Sequence, residues 1–65
     1  MGIRYDMAIE KLKKDIRSKG KKASYQDLLI EYQADREFLD FALEDLLKER
    51  ELYEPTYGFL AVVDQ

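Results

Sequence analysis

The spacing of apolar residues changes character once along this chain, and that change limits what it can fold into. Up to Arg50 the apolar positions recur every three or four residues, the period of helices packed by one face. Tyr5, Ala8, Ile9, Leu12 and Ile16 make one such stripe, which predicts a helix over about residues 3–18. Gly20 then stops it, since glycine takes the left-handed conformation that ends helices. Tyr25, Leu28, Leu29 and Tyr32 predict a second helix over about 25–32, opened by Ser24, whose hydroxyl can accept a free backbone N–H. Ile30 falls off that stripe. Phe38, Leu39, Ala42, Leu43, Leu46 and Leu47 predict a third helix over about 36–50, with Asp35 as its N-cap and Arg50 in its last turn.

Beyond Arg50 the helical period is lost. Leu52-Tyr53 is short and β-prone, Pro55-Thr56-Tyr57-Gly58 carries turn chemistry, and Phe59-Leu60-Ala61-Val62-Val63 is aromatic and β-branched. These predict a hairpin over about 52–63. The expected fold class is therefore α+β and mostly α: a winged helix-turn-helix, three helices followed by a β-hairpin wing. At 65 residues the chain is expected to be one domain.

Residue types absent from the sequence narrow its chemistry. Without Cys or His the chain has no disulfide framework, no thiol nucleophile, no His-based triad and no Cys or His zinc site. A domain this small has little room for a deep pocket. Paired acids such as Glu44/Asp45 and Glu49/Glu51 sit at helical spacing that builds no convergent cage. No catalytic residue, cofactor or metal ligand is expected, and the chain is read as no enzyme. The longest apolar runs are far too short to span a bilayer, and no leader-like segment opens the sequence. The expected setting is cytoplasmic and away from membranes.

Charge is divided unevenly. Residues 1–22 carry eight bases against three acids, a net +5, while residues 23–65 carry three against eleven, a net −8. The basic half makes Lys11, Lys13, Lys14, Arg17, Lys21 and Lys22 candidates for phosphate contact along a duplex, weak and without sequence choice. Lys19 belongs to the same run. The third helix carries the opposite sign. With its apolar stripe inward, its outward residues are Glu37, Phe41, Glu44 and Lys48, with Asp40 and Asp45 beside them. Acids in that position repel phosphate, and the wing residues Pro55 to Gly58 add no positive charge. Conventional major-groove reading by this helix is not expected. Glu37, Phe41, Glu44, Lys48 and Tyr57 are instead candidates for contact with a protein, with Phe41 as anchor. Basic first helix against acidic third helix also makes a homodimer an open expectation.

Residues 43–60, with Tyr53, Glu54, Pro55 and Gly58 in the wing, resemble the C-terminal winged helix of the archaeal minichromosome-maintenance (MCM) replicative helicases. Ser24-Tyr25-Gln26-Asp27-Leu28-Leu29 suits that family's second helix. The resemblance spans roughly residues 20–63. Where such domains often carry a helix-ending Gly before the first wing strand, this chain has Arg50 or Glu51. The helicase ATPase is not here, since Gly2, Gly20 and Gly58 are too scattered for a phosphate-binding loop. The resemblance implies an accessory, non-enzymatic interaction module of DNA replication or transcription machinery. It would act mainly by protein contact, with weak DNA binding. The alternative is a small dimeric DNA-binding transcription regulator.

Overall fold

In a computed structural model, residues 3–63 are described. The elements run α1 (Ile3–Ser18), β1 (Ala23–Ser24), α2 (Tyr25–Glu31), a single 3₁₀ turn (Gln33–Asp35), α3 (Arg36–Lys48), β2 (Leu52–Tyr53) and β3 (Phe59–Val62). This is the α+β, mostly helical layout of a winged helix-turn-helix. The helix-turn-helix is α2, the 3₁₀ turn and α3, and the wing is the β2–β3 hairpin. The strands form one antiparallel sheet in the order β1-β3-β2. Ala23 faces Leu60 across one edge, and Leu52 faces Val62 across the other.

The core is where the stripes meet. Leu12 and Ile16 of α1, Leu28 of α2, and Leu39, Ala42, Leu43 and Leu46 of α3 are buried with Ala23, Leu52, Leu60 and Val62 of the sheet. Fully burying one such leucine is worth about 1.5–3 kcal/mol, so this cluster is the main source of stability. Ile9, Tyr25, Leu29, Tyr32 and Phe38 pack around its edge. Ile30, off its stripe, is 69% exposed.

The helix ends show which local signals act. Gly20 closes α1 at φ 99° and donates to the Arg17 carbonyl at 3.1 Å. Ser24 caps α2, its hydroxyl accepting the Gln26 N–H at 3.2 Å. Asp35 does not act as the cap expected of it. It occupies the N-cap position of α3, but its side chain makes no capping bond; its N–H instead donates to the Tyr32 carbonyl at 2.8 Å, closing the 3₁₀ turn. The other end of α3 also differs. The helix stops at Lys48, and Arg50 takes a left-handed φ of 63°. The Glu51 N–H donates to the Leu46 carbonyl at 2.9 Å and the Arg50 N–H to that of Leu47 at 3.2 Å. That pair of bonds is a Schellman closure, with arginine where glycine is usual.

The sheet has one strand more than the hairpin expected from sequence. β1 is two residues long, too short to leave an alternating pattern. It matters for the wing. The Tyr25 N–H donates to the Gly58 carbonyl at 2.9 Å, and the Gly58 N–H donates to Glu54 Oε2 at 2.9 Å. The wing turn is thereby tied to the start of α2. Gly58 holds φ 85°, a conformation that a side chain would strain.

Candidate functional site

The wing strands pack on α3, but the turn end of the wing, around Tyr57 and Gly58, stands off it. A groove of about 550 Å³ opens between them, walled on its third side by Tyr25 and Gln26 at the start of α2. Its apolar lining comes from Leu43, Leu47 and Leu60. Leu43 and Leu60 are core residues showing one edge, whereas Leu47 is 38% exposed. Three carboxylates line it as well, Asp40, Glu44 and Glu54, and no cation does.

The walls are held in place. Tyr25 Oη donates to Asp40 Oδ1 at 2.6 Å, and Arg36 Nε lies 3.8 Å from the other oxygen of Asp40. The Asp40 bond, with some burial, raises the Tyr25 phenol above its ordinary pKa and keeps it a donor. Glu54 is fixed by the Gly58 N–H. Glu44 is exposed and takes no ion-pair partner among the described residues. Tyr57 stands at 95% exposure on the wing side.

The five residues proposed for protein contact are thus divided. All are exposed, but the groove brings together only Glu44 and Tyr57 and leaves out Glu37, Phe41 and Lys48. Phe41 is 59% exposed and turns toward α1, where Tyr5 meets its ring edge-on at 6.2 Å. Tyr5 also meets Phe38 at 6.1 Å. Its hydroxyl is enclosed without a hydrogen-bond partner, and burial, with Asp45 and Asp6 nearby, raises its pKa. Sequence reasoning missed Leu47, Glu54 and Leu60 as groove residues. Leu47 sits on the apolar stripe and looks like core, and only the position of the wing leaves it uncovered.

The basic face of α1 is largely occupied by this chain's own acids. Lys11 Nζ lies 3.1 Å from Asp15, and Lys13 Nζ lies 2.7 Å from Glu51 and 3.8 Å from Glu10. Lys19 pairs with Glu31, which raises the Lys19 pKa. Asp15 also accepts from Tyr32 Oη at 2.6 Å. That bond, helped by Lys11 and opposed by burial, holds the Asp15 carboxyl below its usual range, while burial and the same bond push the Tyr32 phenol up. Lys22 Nζ lies over the Phe59 ring, 4.5 Å from its centroid. Arg17 is exposed and engaged. Lys14, Lys21 and Lys22 have no carboxylate partner among the described residues.

No family model, curated protein or solved structure matches this chain. Among the described residues no group of three or more acids could hold a metal ion, and no helix is long and apolar enough to cross a membrane. The surface geometry therefore carries the functional argument.

Proposed function

We propose that this chain is a non-enzymatic interaction module on a winged-helix scaffold, working in DNA replication or transcription machinery chiefly by contact with a protein. The setting rests on the resemblance in the wing residues. The mode of action rests on one observation: the face that would enter a DNA groove carries exposed acids beside exposed apolar side chains. Glu37, Asp40 and Glu44 lie on the outside of α3. An acid brought to about 4 Å from a phosphate costs about 1 kcal/mol in water and about 4 kcal/mol at an effective dielectric of 20. At the dielectric of a protein surface, Glu37 and Glu44 alone offset more than the about 1–3 kcal/mol that one good base contact returns, while Asp40 is partly balanced by Arg36. For a protein surface the same acids are no obstacle, and Leu47 and Tyr57 offer apolar area that a partner would cover.

DNA contact is secondary in this reading. Lys14, Lys21 and Lys22 remain for phosphate, while the pairs made by Lys11, Lys13 and Lys19 reduce the patch. Binding of that kind is weak and steeply salt-dependent. The same in-chain pairs weigh against a homodimer of basic helix on acidic helix.

The test is fluorescence anisotropy of a labelled duplex across a salt titration. The expected result is no binding at physiological salt, with weak binding at low salt that the triple variant Lys14→Glu, Lys21→Glu, Lys22→Glu removes. Tight binding at physiological salt that survives this variant would overturn the proposal in favour of a DNA-binding regulator.

A further inference from the structure

We propose that the groove between α3 and the wing takes a lysine- or arginine-rich segment of another protein, with an aliphatic side chain as its anchor. This rests on the reading of the chain as a protein-contact module and says what the contact is. Charge complementarity selects the occupant. Asp40, Glu44 and Glu54 line the groove and no cation does. Asp40 and Glu54 already have partners within the chain, so Glu44 is the acid that a basic segment pairs, and the other two add to a negative field that turns an acidic segment away. The apolar strip of Leu43, Leu47 and Leu60 calls for an aliphatic residue between the cations.

The groove is prepared for this. Tyr25 holds Asp40, and the Gly58 N–H holds Glu54, so two of the three acids are already aimed. The tie from Tyr25 N–H to the Gly58 carbonyl fixes the wing wall. Little ordering is left to occur on binding, which favours affinity from a small contact area. Glu44 is the acid left to accept a new partner, and the exposed Tyr57 ring is placed to cover the segment from the wing side. A second copy of this chain is a poorer occupant: Lys11, Lys13 and Lys19 are already paired within their own chain, and Lys21 and Lys22, which have no carboxylate partner among the described residues, adjoin Ala23, which is buried and offers no aliphatic anchor.

The test is a titration of the isotopically labelled protein, followed by amide NMR shifts. The probe is a synthetic peptide of leucines flanked by lysines; the control is a peptide of equal charge with glycine for leucine. Saturable shifts are expected at Leu47, Tyr57, Gly58 and Leu60, with the control binding about ten-fold more weakly for lack of its buried leucine. Glu44→Lys and Tyr57→Ala, both at exposed positions, should each weaken binding about five-fold while leaving the circular dichroism spectrum unchanged. Equal binding of the control peptide would overturn the proposal. So would shifts spread over acids outside the groove, such as Glu37 and Glu49, or no shift with peptide at millimolar concentration. Those failures leave the broader reading standing, which falls only if duplex DNA binds tightly at physiological salt.

Discussion

Replacing Tyr32 by Phe removes one oxygen from the joint that holds α1 against the helix-turn-helix. Tyr32 Oη donates to Asp15 Oδ2 at 2.6 Å, and Lys11 Nζ approaches the same oxygen at 3.1 Å. The ring itself stays packed, stacked against Phe38 at 6.4 Å, so Phe keeps the apolar contact and loses only the bond. A hydrogen bond to an ionised acceptor is worth about 1.5–3 kcal/mol. Here the Asp15 side chain is 30% exposed, and water recovers part of that, which points to the lower end, about 1.5 kcal/mol. At 4–8 °C per kcal/mol for a domain of this size, the melting temperature should fall by about 6–12 °C. Thermal unfolding followed by circular dichroism measures it. The pH dependence follows from the lowered folded-state pKa of Asp15, whose first cause is this bond. The stabilisation is fully present above the unfolded aspartate value of about 3.9 and is lost as pH falls through it toward the lower folded value. Wild type and Tyr32→Phe should therefore differ most near neutrality and converge in acid. A loss below about 0.5 kcal/mol at neutral pH, or a gap that does not narrow in acid, would refute the reasoning.

Arg50→Gly should stabilise the protein by about 0.5–1 kcal/mol: the left-handed φ of 63° costs a non-glycine residue about 1–2 kcal/mol, and the greater unfolded-state freedom of glycine takes back about 0.5–1 kcal/mol. A melting temperature at or below that of the wild type would show that the Arg50 side chain contributes more than the strain costs. Phe41→Ala should cost about 1–2 kcal/mol by denaturant unfolding, from its edge contact with Tyr5 and the covered part of its ring. A loss of about 3 kcal/mol or more would mark Phe41 as core. Leu39→Ala, by contrast, empties a fully buried site and should cost about 2–5 kcal/mol in the same assay.

What was legible in the sequence is what depends on neighbours along the chain. The α1 stripe runs for four turns and ends at a glycine, so its bounds match the expected range. Ser24 caps α2 because its partner, Gln26, is two residues away. The hairpin was marked by Pro55 and Gly58. What was hidden depends on residues far apart in sequence. Two residues of β1 acquire strand character only by pairing with Phe59 and Leu60. The basic face of α1 reads as free charge until Glu51, thirty-eight residues on, is placed beside Lys13. Leu47 belongs to a helical stripe that the sequence presents as core, and its exposure follows from where the wing comes to rest. Asp35 has the right chemistry for a cap but lies inside a 3₁₀ turn, where its backbone is used and its side chain is not.

The most direct test of the account is an amide NMR shift map of the protein with an unlabelled duplex at low salt, where any phosphate contact is strongest. The account predicts shifts confined to the neighbourhood of Lys14, Lys21 and Lys22, fading as salt is raised. The amides of Glu37, Phe41, Glu44 and Tyr57 should stay in place. Salt-resistant shifts along α3 and the wing would contradict it and identify the acidic face as a DNA-reading surface after all.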